Sequence, residues 1–341
     1  MKNTEKKDED LVKIVQPLVD WYRENKRDLP WRHNPDAYRV WISEIMLQQT
    51  RVSAVLPYYE RFLAALPDIP ALAACEEEKL HKLWEGLGYY SRARNLHAAA
   101  RQVVDDFGGR FPTTFAGVRS LRGVGDYTAA AVCSAAYSLP YAVVDGNVYR
   151  VLSRLFDIAE PIDTASGRRL FAELARSQLD ERDPGRYNQA VMDFGALQCT
   201  PAQPGCADCP LASRCLALAA GTVAERPVKQ TKTKVRDRWF NYLHVTCGDR
   251  TLWRRRGEGD IWQGLYEFPM IETDRAADFS ELTDSEEFRT LLDGVEWRLL
   301  RSVAMPKHQL SHQTLHAVFH RIEISFPVDF PSVPTATLGD Y

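Results

Sequence analysis

Leu121-Arg122-Gly123-Val124-Gly125 stands between two stretches whose apolar residues recur at helical spacing, and about twenty residues later comes Val143-Val144-Asp145-Gly146-Asn147. The two glycines permit the positive backbone angles of a tight helix-to-helix turn. Backbone amides at such a turn, with the start of the helix near Tyr127, can hold a phosphate without any basic side chain. Val148, Val151, Leu152 and Leu155 repeat at helical spacing, so Asp145 falls where an N-cap belongs. Capping keeps a carboxylate ionised through amide hydrogen bonds and the helix dipole, and such an anion can stabilise a cationic intermediate beside it. A cap with no further role, and a glycine turn that only packs two helices, are the plain alternatives.

Working outward, apolar residues keep a helical period up to about residue 222, as in Leu11, Ile14, Leu18 and Tyr22, or Leu80, Leu83, Trp84 and Leu87. The longest apolar tract, Ala129 to Val144, reads as buried helix and is too short and interrupted to span a bilayer. From Trp239 the pattern changes. Trp239 to Thr246, the Gly248-Asp249 turn and Thr251 to Arg255 read as a hairpin, Trp297 to Val303 and Leu315 to Ile324 as strands, and Asp284 to Leu292 as a short helix. The expectation is therefore a mostly α domain over 8–222, a basic linker over 223–238 and an α+β domain over 239–341. His308, His312, His316 and His320 lie four apart, but the β pattern around them argues for a strand rather than a helical metal site.

The chain has 341 residues and a formal net charge of −3, so any affinity for a polyanion must be local. Lys229, Lys232, Lys234, Arg236 and Arg238 form one candidate patch, with a solvated linker as the bland reading. Met1 to Asp10 is charged with mixed signs and carries no targeting signature, so a cytosolic location is expected. Cys75, Cys133 and Cys247 sit singly in apolar surroundings and read as buried small side chains. Cys199-x6-Cys206-x2-Cys209-x5-Cys215 is different: four thiolate donors within seventeen residues, among turn-forming prolines and a glycine. Such a loop wraps a metal centre, and its spacing admits structural zinc as well as a cluster of iron and sulfide.

A second carboxylate, Glu44, lies in Trp41-Ile42-Ser43-Glu44-Ile45-Met46-Leu47-Gln48-Gln49-Thr50-Arg51 among large apolar residues. Glu44, Gln48 and Arg51 fall on one helix face if the helix runs through all three. If Glu44 is buried, desolvation raises its pKa and lets it act as a general acid; an exposed polar stripe is the alternative.

The glycine hairpin, the later aspartate and the four-cysteine loop together resemble the helix-hairpin-helix DNA glycosylase superfamily. More narrowly, Leu29-Pro30-Trp31-Arg32, Ser43 to Thr50, Leu87-Gly88-Tyr89-Tyr90 with Arg92, Arg94 and Asn95, and Leu310-Ser311-His312 resemble the MutY family of adenine DNA glycosylases, over nearly the whole chain. The resemblance implies a helix-hairpin-helix domain with a [4Fe-4S] cluster on Cys199, Cys206, Cys209 and Cys215, and a nudix-like C-terminal domain. It implies a monomeric enzyme that works on double-stranded DNA, not on a membrane, and hydrolyses the glycosidic bond of adenine mispaired with 8-oxoguanine or guanine. By the same resemblance Glu44 and Asp145 are catalytic with Tyr127 and Asn147 beside them, and Trp31, Arg32, Gln48 and Gln189 receive the adenine. Gln49, Thr50, Leu87, Tyr89, Gly123 and Gly125 bind DNA, and Ser311 and His312 read 8-oxoguanine. Leu310 departs from the phenylalanine more common in the family.

Tyr127 also separates two activities. Endonuclease III-like relatives carry a lysine there whose amine forms a Schiff base and leads to strand cleavage, and a phenol cannot. The region after Gly264 lacks the glutamate run with which a nudix hydrolase holds magnesium, so nucleotide hydrolysis is not expected. A lesion-specific lyase and a non-catalytic DNA or protein adaptor are the rival readings.

Overall fold

A computed structural model describes residues 14–231, 235–259, 262–310, 312–325 and 335–337. The chain divides into two compact units between Thr231 and Lys232.

The first unit is helical. Its helices are α1 (Val15–Asn25), α2 (Pro30–His33), α3 (Ala37–Leu47), α4 (Val52–Ala65), α5 (Ile69–Ala73), α6 (Glu77–Trp84) and α7 (Ser91–Phe107). They continue as α8 (Phe115–Arg119), α9 (Asp126–Tyr137), α10 (Gly146–Leu155), α11 (Ala165–Gln178), α12 (Pro184–Leu197) and α13 (Leu216–Ala220). Side chains set several of these starts: Asp36, Thr114, Asp145, Thr164 and Asp183 each accept a backbone N–H of the first turn, a cap worth about 1 kcal/mol. One core gathers Leu18 and Tyr22 of α1, Ala130 of α9, Val151 and Leu155 of α10, Phe171 of α11 and Phe194 of α12. It lies directly behind the N-termini of α9 and α10.

The hairpin joins α8 to α9. Gly123 has φ 77°, and a Cβ there would meet Asn95 Cβ at 2.7 Å, so both its backbone angle and its closeness to α7 require glycine. Gly125 does not share the expected positive angle. It is the extended N-cap of α9 (φ −95°, ψ 177°), with nothing within 4 Å of a built Cβ and no side-chain cap beyond it. The Ala129 to Val144 tract is not one helix, because α9 ends at Tyr137 with Ser138 left-handed at φ 53°, and the residues that follow run irregularly to Asp145.

The second unit is built on a sheet ordered β6-β8-β1-β2-β9, with β5 also paired to β1 and β7 to β8. Its strands are β1 (Arg236–Cys247), β2 (Arg250–Leu252), β3 (Arg254–Arg255), β4 (Tyr266–Glu267) and β5 (Met270–Thr273), followed by β6 (Trp297–Ala304), β7 (His308–Gln309), β8 (Gln313–Ile324) and β9 (Thr335–Thr337). The expected hairpin is present as β1–β2 with Thr246 opposite Thr251, while β1 and β8 run parallel over eleven registered pairs. α14 (Phe279–Thr283) and α15 (Glu286–Leu292) supply Leu282, Phe288 and Leu292 to a core with Leu243, Val245, Ile271 and Ile322. His316 and His320 lie within β8, so the four-residue histidine spacing does not form a helical site.

The basic stretch is less of a linker than its composition suggests. Ile162 N–H donates to Val228 O at 3.0 Å, and the Gln230 and Thr231 amides donate to the Asp163 carboxylate at 2.9 and 2.7 Å. At the other end β1 begins at Arg236, and Arg238 is ion-paired with Glu272. Lys232 and Lys234 lie outside the described residues.

Candidate active site

Glu44 sits in α3, whose residues from Ala37 to Met46 are all buried except Arg39, and is itself 4% exposed. Removal from water pushes its carboxyl up to about 7. A hydrogen bond from the Tyr127 hydroxyl pulls the other way, the charge of Asp145 adds to the rise, and Arg32 opposes it. Tyr127 lies in the first turn of α9, with its hydroxyl also 3.5 Å from Met192 Sδ, and burial beside Glu44 and Asp145 keeps it a neutral phenol.

Asp145 is the N-cap of α10. Its Oδ1 accepts from Val148 N–H at 2.8 Å and its Oδ2 from Asn147 Nδ2 at 2.8 Å. Asn147 Oδ1 in turn accepts from Arg150 Nη2 at 2.9 Å, and Arg150 donates onward to Gly195 O and Cys199 O. The structure thus brings Glu44, Tyr127, Asp145 and Asn147 together: one protonatable carboxyl hydrogen-bonded to a phenol, and one amide-bound carboxyl close enough for its charge to act on both.

On the other side of Glu44 opens a pocket lined also by Trp31, Arg32, Val40, Ser134 and Gln189. Arg32 Nε donates to Gln189 Oε1 at 2.8 Å, and both its Nη atoms donate to Asp193 at 2.8 and 2.9 Å. Burial pushes the Asp193 carboxyl up, but Arg32 and Arg27 outweigh it and hold it below the usual range. Gln48 does not join this pocket. α3 stops at Leu47, Gln48 is its C-cap and Arg51 caps the start of α4, so the expected line of Glu44, Gln48 and Arg51 along one helix face does not form.

Gln49 and Tyr89 are exposed and both left-handed, at φ 57° and 48°. Thr50 is half-buried beside Gln49. Leu87 is only 6% exposed, so it packs beneath the Tyr89 turn instead of standing out from it. His312 is exposed just before β8, where Leu310 N–H donates to Gln313 O at 2.7 Å. Ser311 lies outside the described residues.

Cys199, Cys206, Cys209 and Cys215 are free, half-buried, and line one cavity with Arg154, Phe194 and Leu211. Cys75 and Cys133 are buried and Cys247 half-buried. Among the described residues no three His, Cys, Asp or Glu side chains converge as a single metal ion requires. Four thiols around one cavity have the donor set of a structural zinc or of an iron-sulfur cluster. The donors around them fit an anionic group as well. Backbone amides of Leu211 and of Ala217 and Leu218 point at Cys209 and Cys215, and Arg154 Nη1 donates to Cys199 Sγ at 3.4 Å.

Asp193, Arg154 and Arg150 were not singled out by sequence reasoning. Asp193 follows Gln189 by four residues on α12, and Arg150 and Arg154 follow Asn147 by three and seven on α10, so each shares a helix face with a residue of the predicted site. That spacing was the available signal.

Comparison with known proteins places this geometry. The family model described as HhH-GPD superfamily base excision DNA repair protein matches residues 42–176, and the NUDIX domain model matches residues 241–341. The adenine DNA glycosylase of Mus musculus is 45% identical over 218 residues, 61% of this chain and 42% of that one. That of Arabidopsis thaliana is 37% identical over 307 residues, 78% of this chain and 48% of the relative. The chain therefore spans less than half the length of these two relatives. The adenine DNA glycosylase of Buchnera aphidicola subsp. Schizaphis graminum (strain Sg) is 30% identical over 325 residues, covering 92% of this chain and 89% of its own. Among solved structures, a thermostable thymine-DNA glycosylase aligns with TM-score 0.58 and 30% identity over 64% of this chain and 99% of that one. A trapped endonuclease III-DNA covalent intermediate shares the fold, with TM-score 0.53 and 21% identity over 61% of this chain and 94% of that one. With two family models matched in order along its length and a relative aligned over nearly all of both chains, this chain belongs to the adenine DNA glycosylase family.

Proposed function

We propose that this chain removes adenine mispaired with 8-oxoguanine or guanine from duplex DNA, hydrolysing the glycosidic bond without cutting the strand. The observation that carries the reading is the pairing of Glu44, held near neutrality, with Asp145, bound by amide donors, across Tyr127. An adenine turned out of the stack enters the pocket of Trp31, Arg32 and Gln189, at an unstacking cost that a mispair lowers. The Glu44 carboxyl gives its proton to a ring nitrogen of the adenine as the glycosidic bond breaks and its electron pair leaves with the base. Asp145 faces the resulting oxocarbenium ion, by charge or by a transient bond to the sugar. Water then attacks the anomeric carbon and its proton passes to the Glu44 carboxylate. The division of labour parallels retaining glycoside hydrolysis.

Tyr127 supports the monofunctional course, because it stands where a lyase needs an amine. Gly123, Gly125 and the uncapped start of α9 offer amides to a DNA phosphate. Gln49, Thr50, Leu87 and Tyr89 belong to the two turns that face the opposite base, and Ser311 with His312 read 8-oxoguanine in the C-terminal unit. Cys199, Cys206, Cys209 and Cys215 would hold a [4Fe-4S] cluster, which when bound supplies a rigid, negatively charged anchor for the loop after α12. The protein acts as a monomer on double-stranded DNA. Among the described residues no helix is long and apolar enough to cross a membrane.

The test is single-turnover excision from a duplex with adenine opposite 8-oxoguanine, analysed with and without alkali. Product that requires alkali to break the strand is expected, with no adduct trapped by borohydride. Strand breaks without alkali at matched yield would overturn the monofunctional reading, and intact adenine would overturn the activity.

A further inference from the structure

Arg92 is the second residue of α7 and 7% exposed, yet its guanidinium pairs with no carboxylate among the described residues. Burying an unpaired cation is costly. Here carbonyl oxygens take the place of a counter-ion. Nη1 donates to Ile45 O at 3.1 Å, Met46 O at 2.7 Å and Gln48 O at 2.7 Å, and Nη2 donates to Leu87 O at 3.1 Å and Gly88 O at 3.0 Å. The guanidinium carbon also lies 5.4 Å from the Trp84 ring centroid and 5.6 Å from that of Tyr89, within reach of both π faces.

The five acceptors belong to two segments far apart in sequence. Ile45 and Met46 carry carbonyls of the last turn of α3, where a cation is favoured; Ile45 O also accepts from the Gln48 N–H at 3.4 Å, and Gln48 is the C-cap. Leu87 and Gly88 lie in the turn between α6 and α7. Each segment carries a non-glycine residue in the left-handed region, Gln49 in one and Tyr89 in the other, with Gly86 and Gly88 at φ 95° and 70° beside the second. Such backbone persists only where its surroundings over-determine it, and the Arg92 fork is a group common to both turns.

We propose that Arg92 is a positioning residue that fastens the 48–50 and 86–89 turns to each other and so fixes their grip on the base opposite the excised adenine. The inference rests on the glycosylase reading above. A planar fork spans acceptors on two sides at once, which a lysine ammonium on its flexible stem does not reproduce. Loss of the fork therefore impairs adenine release where an opposite base must be held, and spares release where there is none.

Arg92→Lys and Arg92→Gln are compared with wild type in single-turnover excision on two duplexes, one with adenine opposite 8-oxoguanine and one with adenine opposite a stable abasic-site analogue. On the first, Arg92→Lys is expected to be about tenfold or more slower, and on the second within about threefold of wild type. A general loss of folded protein lowers both rates alike, so equal losses, or no loss on either, overturn the proposal. Failure of wild type to release adenine from either duplex instead sinks the glycosylase reading. Arg92 is then judged by backbone hydrogen exchange, expected to quicken together at 48–50 and 86–89 in Arg92→Lys, with quickening in one segment alone or in neither overturning it. Should neither variant fold, wild-type protein with 15N-labelled arginine decides: slowly exchanging Arg92 Nη protons, free and DNA-bound, are expected, and fast exchange in either state overturns the proposal.

Discussion

The Asp193 carboxylate, fully buried on α12, receives two hydrogen bonds from the Arg32 guanidinium at 2.8 and 2.9 Å, and that guanidinium then donates to Gln189. A buried anion thus fixes two polar residues of the Glu44 pocket, Arg32 and Gln189, without lining it. Asp193→Asn removes the charge from a site that also holds Arg27, so stability should fall by about 3 kcal/mol, as when a buried pair is broken. Chemical denaturation checks this; a loss under about 1 kcal/mol would show that Arg32 finds its position without Asp193.

Burial raises the Glu44 carboxyl from its ordinary value of 4.5 to about 7. Between those values the folded protein binds a proton that the unfolded chain does not. The slope of stability with pH is therefore negative there: the protonated pocket is at full advantage below 4.5, and stability is lost as pH rises towards 7. Glu44→Gln has no such dependence, so its unfolding free energy should gain on wild type from pH 5 to pH 8, by on the order of 2 kcal/mol. A constant difference would place Glu44 in contact with water. Excision by wild type should fall above about pH 7 as the acid is lost, and Glu44→Gln should bind DNA but release no adenine.

Asp145→Asn keeps an oxygen to cap Val148 and loses the charge. Thermal stability should change little, while single-turnover excision falls by about a hundredfold to a thousandfold, as for loss of a preorganised electrostatic group. Brisk excision by this variant would remove Asp145 from the reaction and leave it a helix cap.

Arg154 is 3% exposed and donates to Cys199 Sγ and to the carbonyls of Thr200, Pro201, Val223 and Arg226, with no carboxylate among these partners. If the four cysteines hold the proposed [4Fe-4S] cluster, Arg154→Gln should lose its visible absorbance and iron in air about tenfold faster than wild type, the effect of deleting a partner that supports a metal ligand. Arg154→Lys should fall between the two. Equal rates of iron loss in all three proteins would mean that the guanidinium only ties loops together.

Much of this was legible in the residues. The N-cap role of Asp145, the helix-to-helix turn at Gly123 and the change from helix to sheet, expected from Trp239 and found from Arg236, follow from local rules of capping, period and turn chemistry. The end of α3 was not, because its stop at Leu47 is stabilised by the Arg92 fork, a tertiary contact from α7 that no local pattern contains. Nor were the tethers of residues 228–231, which bond to Asp163 and Ile162 from far earlier in the chain. The same holds for β5 and β4, whose two to four residues are too few to show a period and exist by pairing with β1 and β3.

Tyr127 is the second residue of the helix that opens at Gly125. On the function proposed above, the helix whose N-terminus would hold the DNA backbone therefore also carries the phenol that is hydrogen-bonded to Glu44. Holding the strand and aligning the reacting groups are mechanically one task, and a change that tilts α8 against α9 should disturb both in proportion.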